Sequence, residues 1–188
     1  LIKNQHWSPL EMVNVCLEIE TTRDIARQIL RHRSFSFQEF SQRYSAVTGL
    51  ESFDIRKQTE KNRQSSSEIL DLSQEEIQEV VDYLTNGLNL YNNLLKRGAA
   101  RESARKVLPL CTQTTLYMTG TVRSWIHYLL TRTHPGTQLE HRQIALSIKE
   151  GFCQIFPAVA HAVFGKEQEI CSESISNDLH KCDENCNA

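Results

Sequence analysis

Apolar and polar residues alternate between Met12 and Ile19, and this period of two predicts a β-strand with one face in the core. The polar run from Thr21 to Asp24 is typical of a helix start, and the period then changes to that of an α-helix. The predicted apolar face of the strand contains Val13, Val15, Leu17 and Ile19. The predicted apolar face of the helix contains Ile25, Ala26, Ile29 and Leu30.

A second helix is predicted to begin at Ser73, because Glu76 follows three residues later and completes a capping box. It ends at Gly98, since glycine favours the left-handed backbone at a helix C-terminus. Its apolar positions are Ile77, Val80, Val81, Leu84, Leu88, Tyr91, Leu94 and Leu95. Before this helix, residues 46 to 68 have no apolar periodicity and predict a flexible, polar loop.

The remaining pattern predicts one strand among further helices. A short helix covers residues 99 to about 107, and the threonine-rich stretch from Thr112 to Met118 forms a strand. Helices follow over residues 121–131, 138–156 and 157–164. Core candidates on the long one are Leu139, Ile144, Ala145, Ile148, Phe152, Ile155 and Phe156. Because strands and helices do not alternate, we expect an α+β fold, with a small antiparallel sheet packed with several helices in a single domain.

That domain is expected to cover residues 1–166, and residues 167–188 are expected to form a disordered tail, because the tail is polar. The tail contains four potential zinc ligands, Cys171, His180, Cys182 and Cys186, so a zinc site is the alternative interpretation. Because the spacing of these residues is irregular, we expect the disordered tail instead and predict no metal. Because the sequence starts without Met, as if inside an element, we also expect that an N-terminal piece is missing.

Composition limits the classes of partner. A net charge of −2 over 188 residues gives no overall attraction for nucleic acid. No apolar run reaches the roughly 18 residues of a membrane span, and no signal peptide is recognisable. Three cysteines, Cys16, Cys111 and Cys153, lie in apolar surroundings and are expected to be small core residues with reduced thiols. We therefore expect a cytoplasmic protein, or one of the host cytosol if the source is a virus, with neither nucleic acid nor membrane as a partner.

The segment from Arg31 to Ser45 carries the strongest functional signal, since it combines three arginines, a histidine and four aromatic residues. Neighbouring guanidinium groups repel one another and are costly to bury without anions. A phosphate, which arginine binds through two parallel hydrogen bonds, is their natural partner. The aromatic residues fall at near-alternating positions, which predicts extended backbone, and they either anchor the segment or stack on a flat ligand. They are Phe35, Phe37, Phe40 and Tyr44.

The same segment resembles the signature of the flavin-dependent thymidylate synthases, which reads Arg-His-Arg, seven residues, Ser, and then Arg-Tyr. Gln38 stands where most members of that family have Asn, so the amide is retained on a longer side chain. The positions that match the signature are Arg31, His32, Arg33, Glu39, Ser41, Arg43 and Tyr44.

Other blocks resemble the family as well, so that the resemblance runs from His6 to about Phe164. The first block is His6-Trp7-Ser8-Pro9-Leu10-Glu11, near the start of the chain. A second block covers residues 101–110, and a third covers residues 120–125 and continues to His127 and Arg132. Arg123 and His127 are four residues apart and would share one helix face.

The resemblance implies reductive methylation of dUMP to dTMP, with methylenetetrahydrofolate as carbon donor and FAD, reduced by NADPH, as hydride carrier. It also implies a homotetramer whose active sites are shared among subunits. The FAD contacts that it implies are Ser8, Arg31, His32, Arg33, Glu39, Thr121, Val122, Arg123 and His127. The dUMP contacts that it implies are Gln28, Arg31, Glu39, Ser41, Gln42, Arg43, Arg105 and Arg132. Arg132 is expected to be catalytic, because its charge would stabilise negative charge on the uracil ring.

Two alternatives concern the chemistry. The arginine and aromatic segment also suits a non-catalytic nucleotide- or RNA-binding module, in which aromatic rings stack on bases. Cys111 follows Pro109-Leu110 and superficially resembles a thiol nucleophile, but no base or cation that would activate it lies nearby in sequence. We therefore expect Cys111 to be a packing residue.

Overall fold

The centre of the computed structural model is a pair of nine-residue antiparallel strands, β1 (Asn14–Thr22) and β5 (Gln113–Thr121). A shorter strand, β2 (Ser36–Glu39), pairs with the other edge of β5, which gives the order β1-β5-β2. A separate hairpin contains β3 (Arg56–Gln58) and β4 (Ser66–Ile69). The structure describes residues 1–45, 47, 49–60, 62 and 65–165.

The described part of the chain contains six α-helices. They are α1 (Arg23–Ile29), α2 (Gln74–Lys96), α3 (Arg101–Ala104), α4 (Val122–Arg132), α5 (Leu139–Ile155) and α6 (Pro157–Phe164). Short 3-10 helices cover Ile2–Asn4, Ser8–Glu11 and Arg105–Val107. None of the helices in the described ranges is long and apolar enough to cross a membrane.

One hydrophobic core joins the inner face of the sheet to α1, α4, α5 and α6. β1 contributes Ile19 and β5 contributes Leu116 and Met118, because alternate residues of a strand point to the same face. Trp125 and Leu129 of α4 are almost completely buried in the same cluster. The core therefore fixes α4 and α1 against the sheet, and both of these helices supply predicted site residues.

The α+β class is confirmed, and so are most of the predicted elements near the core. β1 begins two residues later than its predicted start, so Val13 lies outside it and is 44% exposed. Cys16 is exposed, so the prediction that it is a core residue is wrong. In the segment after Phe35 only Ser36–Glu39 is a strand, because residues 42–44 form a turn.

The prediction of a structureless loop over residues 46 to 68 is wrong in part, because this stretch contains β3 and much of β4. Leu50 also forms an isolated antiparallel bridge with Thr112. Arg56 lies on β3 and forms an ion pair with Glu140 of α5. A polar strand of three residues pairs without any apolar alternation, which explains why periodicity did not reveal it.

The capping box of α2 is confirmed, since the Ser73 hydroxyl accepts from the Glu76 backbone N–H at 3.2 Å. Gly98 has a φ of 86°, as expected for a helix stop. The apolar face of α2 is only partly covered in the single chain, since Tyr91 is the one buried residue of the helix and most other positions of the face are half-buried. Ile77 and Val81, near its N-terminal end, are 42% and 47% exposed.

On α5, the predicted core residues Ala145 and Phe152 are buried, whereas Ile155 is 64% exposed and was wrongly assigned to the core. Two polar residues, His141 and Lys149, are buried on the same helix instead. The predicted tail over residues 167–188, with its cysteines, lies outside the described residues.

Candidate active site

The Arg-His-Arg segment directly follows α1. The backbone N–H of His32 donates to the carbonyl of Ile29 at 3.1 Å, which holds the segment close to the helix. The guanidinium groups of Arg31 and Arg33 are exposed, and within the described chain neither has an ion pair or side-chain hydrogen bond. Two exposed guanidiniums without partners are a donor set suited to a phosphate or diphosphate.

Arg132, the last residue of α4, meets this segment. Its Nε donates to Nε2 of His32 at 2.9 Å. Burial, then the positive charge of Arg132, and then His127 lower the pKa of His32 to about 4, so the imidazole is neutral and accepts this bond. The Nη groups of Arg132 have no other side-chain partner among the described residues. The guanidinium of Arg132 is therefore held through Nε, and its two Nη groups remain available to a ligand.

Aromatic residues hold this pair in place. The His32 ring lies 4.9 Å from the Tyr128 ring in an edge-on arrangement, and Phe35 lies 4.8 Å from Trp125 in a similar one. Phe35 in turn packs directly over Gly120 of β5, where an added Cβ would lie 2.5 Å from Phe35 Cδ1. A glycine is therefore required at position 120 by this close approach. Of the predicted aromatic anchors, Phe35 is buried, whereas Phe40 and Tyr44 are exposed.

Glu39 ends β2 beside the sheet. Its Oε1 accepts from Arg23 Nη1 at 2.6 Å and from the Thr114 hydroxyl at 2.9 Å. Arg23 and Glu39 are each only about one fifth exposed, so the ion pair is shielded from water. The carboxylate predicted to contact ligands is thus fixed by two side chains, Arg23 and Thr114, that are not predicted site residues themselves.

The segment Ser41–Arg43 forms the next turn, in which the Arg43 backbone N–H donates to the Ser41 hydroxyl at 3.2 Å. Gln42 lines a cleft of about 420 Å³ together with Thr21, Phe40 and Thr114. Its Nε2 is buried and has no hydrogen-bond partner among the described residues, so an acceptor from outside the chain would satisfy it.

Arg43 is exposed, and its Nε lies 3.7 Å from Glu102. Arg101 donates to the carbonyl oxygen of Tyr44. The block at residues 101–110 therefore lies against the end of the Arg31–Ser45 segment. Arg105 is half-buried and has no side-chain ion pair within the described residues.

The predicted flavin contacts on α4 lie at its other end. The Thr121 hydroxyl caps the helix by accepting from the Ser124 backbone N–H at 3.2 Å, and Arg123 donates to Glu11. Ser8 begins the 3-10 helix that ends at Glu11 and packs on α4. Nine residues separate Arg123 from Arg132, which is about 14 Å along the helix. A single chain therefore does not bring these two groups into contact.

Val122 and His127 differ in accessibility. His127 is exposed on the outer face of α4, as is Arg123, in line with their spacing of four residues. The Val122 side chain belongs to the core, and its backbone N–H donates to the carbonyl of Val13 at 2.9 Å. Its predicted flavin contact stays a prediction, and it would have to involve the backbone.

Several polar side chains that the sequence did not single out contact predicted site residues, either directly or through another of these side chains. The one with a recognisable signal is His141, which lies four residues before Ala145 on the buried face of α5. Arg23 and Arg56 gave no signal, because the carboxylates that they bind are far away in sequence. The missed residues are Arg23, Arg56, Tyr128, Gln138, Glu140 and His141.

Cys111 is half-buried and has a free thiol. Burial, assisted by the carboxylates of Asp24 and Glu51, raises the pKa of this thiol despite an opposing backbone hydrogen bond. A raised pKa keeps the thiol protonated, which is unfavourable for a nucleophile. Within the described ranges, no group of three His, Cys, Asp or Glu residues could hold a metal ion.

Comparison with known proteins identifies relatives over most of the chain. A flavin-dependent thymidylate synthase from Synechocystis sp. is 51% identical over 164 residues, which cover 86% of this chain and 76% of that protein. A probable flavin-dependent thymidylate synthase from Paramecium bursaria Chlorella virus 1 is 46% identical over 168 residues, with the same two coverages.

Among solved structures, the UMP/dUMP methylase PolB from Streptomyces cacaoi, bound with 5-Br dUMP, superposes with a TM-score of 0.76 at 27% identity. The match covers 86% of this chain and 75% of that one. The family profile described as thymidylate synthase complementing protein matches residues 1–158. This chain therefore belongs to the thymidylate synthase complementing protein family.

Proposed function

We propose that this protein is a flavin-dependent thymidylate synthase, a methyltransferase that converts dUMP to dTMP with methylenetetrahydrofolate as carbon donor and NADPH as reductant. Family membership and the names of the relatives support the flavin and dUMP, and the remaining co-substrates follow from the resemblance. A cytoplasmic location accompanies this function and stays a prediction.

The observation that carries the proposal is the contact between Arg132 and His32. It joins the end of α4 to the Arg-His-Arg segment and presents a cation whose outer nitrogens have no other side-chain partner in the described chain. Methylation requires the uracil ring to become nucleophilic, so negative charge develops on it. A fixed guanidinium stabilises that charge without reorganisation during the reaction, which is the basis of electrostatic catalysis.

The nucleotide would be held by the turn at Ser41–Arg43 and by Arg105, Gln28 and Arg31. Arg43 and Arg31 are exposed guanidiniums, which suits a phosphate. The buried Nε2 of Gln42, which has no hydrogen-bond partner in the described part of the chain, would find its acceptor in such a ligand. Glu39, fixed by Arg23 and Thr114, would orient a polar group at the edge of the same cleft.

The donor set also fits FAD. Arg31 and Arg33 would bind its diphosphate, and His32 would contact the ring system. Further contacts would come from Ser8, Glu39, Thr121, Val122, Arg123 and His127. When bound, the flavin supplies hydride transfer, whereas the chain supplies charge and position.

We also propose that the protein assembles into a homotetramer with shared sites. Part of the apolar face of α2 is exposed in the single chain, where Ile77 and Val81 are 42% and 47% accessible. A 23-residue helix with such a face is expected to pack against a further surface. The separation of Arg123 from Arg132 along α4 gives the second reason, since different subunits could then complete one site.

A combined spectroscopic and product assay tests the function. The protein, reconstituted with FAD, should absorb in the flavin bands, and with NADPH, methylenetetrahydrofolate and dUMP it should form dTMP. Omission of dUMP is the control for product formation. Arg31→Ala should weaken FAD binding about tenfold by loss of a charged hydrogen bond. The matched variant Arg27→Ala removes an exposed arginine of α1, the helix that precedes Arg31, and should leave FAD binding unchanged.

Each negative result has a defined meaning. Absence of FAD binding to the wild-type protein contradicts the proposal and favours the nucleotide- or RNA-binding alternative. Flavin binding without dTMP formation contradicts the enzymatic part alone. Light scattering at several protein concentrations tests the tetramer, and a monomer at all of them would contradict shared sites.

A further inference from the structure

A continuous hydrogen-bond chain connects α4, α1 and α5 beside the Arg132–His32 pair. The Tyr128 hydroxyl lies 3.1 Å from His141 Nε2, and His141 Nδ1 lies 3.3 Å from Gln28 Oε1. Gln28 Nε2 donates to Gln138 Oε1 at 2.6 Å, and Gln138 Nε2 donates to Glu140 at 3.0 Å. Tyr128 and His141 are completely buried, so water does not replace these contacts.

The ionised end of the chain fixes the direction of every bond in it. Burial alone would raise the pKa of Glu140, but hydrogen bonds from Arg56, its own backbone and Gln138 outweigh burial and lower that pKa. A carboxylate only accepts, so Gln138 must turn its N–H toward Glu140 and its oxygen toward Gln28. Gln28 must then donate to Gln138, which leaves its own oxygen to accept from His141.

This direction determines the tautomer of His141. Its Nδ1 must carry the proton in order to donate to Gln28, and its Nε2 must therefore accept from the Tyr128 hydroxyl. Burial, followed by the charges of Arg132 and His32, lowers the pKa of His141 to about 4, so the ring is neutral. All donors in the chain thus point from Tyr128 toward Glu140.

Packing alone does not account for His141. It occupies a position on the buried face of α5 that lies in line with Ala145 and Phe152, where an apolar residue would pack without any polar group to satisfy. The Tyr128 ring already packs against His32, Phe35 and Trp125 without using its hydroxyl. The hydroxyl and the imidazole are therefore available for a role other than filling the core.

We propose that His141 is a positioning residue for Gln28. Its Nδ1–H makes the second contact on an amide whose first contact is Gln138, anchored on Glu140, and the two contacts together hold the remaining N–H of Gln28 in one direction for dUMP. The bond to Gln138 alone fixes which end of the Gln28 amide faces α5, but the amide can still swing about that single contact, whereas a second contact at its oxygen fixes its plane. Fixing the plane before the ligand binds reduces the cost of ordering the site. The inference rests on the proposed function, in which Gln28 contacts dUMP.

The test compares Tyr128→Phe with the double variant Tyr128→Phe/His141→Leu in the FAD-loaded protein. The single variant removes the hydroxyl but leaves the His141–Gln28 bond. The double variant removes both polar partners together, so no buried group is left unsatisfied between them and folding is retained. It should raise the Kd and KM for dUMP about tenfold relative to the single variant, the effect of one oriented hydrogen bond. The kcat and the FAD affinity should stay unchanged.

Two outcomes would overturn the proposal. One is equal dUMP affinity in the two variants, and the other is a parallel loss of FAD affinity and kcat, which would indicate a general structural role. Nitrogen NMR gives a readout that does not depend on activity: His141 should carry its proton on Nδ1, and a proton on Nε2 would contradict the direction of the chain. Failure of the proposed function would appear earlier, as absent dUMP binding by the wild-type protein, and the NMR result would remain informative about the chain.

Discussion

Replacing Arg132 gives the sharpest test of the proposed chemistry, because this side chain makes one observed contact, to His32, and is proposed to make a second, separable one to the uracil ring. Its Nε bonds to His32 in the ligand-free chain, whereas its Nη groups have no other side-chain partner among the described residues. Arg132→Ala removes both. The first loss affects the free protein, and the second affects only the state in which the uracil ring carries charge.

The expected loss of turnover in Arg132→Ala follows from the separate roles of the Nε and Nη groups. A hydrogen bond from a charged donor contributes about 1.5–3 kcal/mol, and its loss affects the free and the substrate-bound protein alike. One preorganised donor to a developing charge contributes about 2.7–4 kcal/mol to the transition state, so turnover should fall about 100- to 1000-fold. Arg132→Lys retains the charge but not the planar fork, and it should recover only part of the loss.

Single-turnover oxidation of the reduced flavin, with dUMP and methylenetetrahydrofolate present, measures this step. A second measurement uses His32, whose pKa of about 4 depends partly on the neighbouring guanidinium. In Arg132→Ala this pKa should rise toward 6.5 but remain below it, since burial persists, and NMR titration of the ring records the change.

Arg142→Ala is the matched control, because that half-buried arginine donates to the backbone carbonyl of Pro135. It should leave turnover unchanged. If Arg132→Ala raised the pKa of His32 but retained wild-type turnover, the guanidinium would be in its assigned place without acting on the uracil ring, and the electrostatic argument would be refuted.

Three further predictions follow from other contacts. Cys111→Ser should retain dTMP formation and FAD binding, because the raised pKa of this thiol disfavours a nucleophile; loss of product with normal folding would show the opposite. Gly120→Ala should lower the free energy of unfolding by about 1–3 kcal/mol in a urea titration, since the added Cβ would lie 2.5 Å from Phe35. The folded-state pKa values of His32 and His141 are lowered from 6.5 to about 4, so their stabilisation is fully present above pH 6.5. Thermal unfolding should therefore show stability falling from pH 6.5 toward pH 4, and a flat profile there would contradict their neutral state.

Local patterns in the sequence predict those elements whose formation depends on local chemistry. The capping box at Ser73 and the stop at Gly98 bound α2 correctly, because both involve backbone groups within a few residues. The alternation at Val15, Leu17 and Ile19 likewise predicts β1. The hairpin of β3 and β4 was not predicted, because its polar residues show no apolar alternation. Its residue Arg56 instead binds a partner on another element, Glu140 of α5.

The same holds for the candidate site, where the local signature was predictable and the contacts between residues far apart in sequence were not. The signature at Arg31–Tyr44 identifies a group of residues, and the resemblance assigns roles to them. It does not predict that Arg132, 100 residues beyond His32, donates to that imidazole, since this contact depends on where the fold places the end of α4 relative to the segment after α1. Nor does it predict that Arg23 and Thr114 hold Glu39.

His141 gives a recognisable signal in the sequence, but its role can be interpreted only once the fold is known. A histidine on an otherwise apolar helix face indicates a buried polar partner, because an unpaired buried imidazole would be destabilising. The sequence does not identify that partner, since Gln28 is 113 residues away and Tyr128 is 13 away. Once the fold brings them together, the carboxylate of Glu140 dictates the direction of every bond between them. The orientation of Gln28 is therefore a property of the whole chain of contacts, and substitutions at His141 should change dUMP binding without touching the ligand.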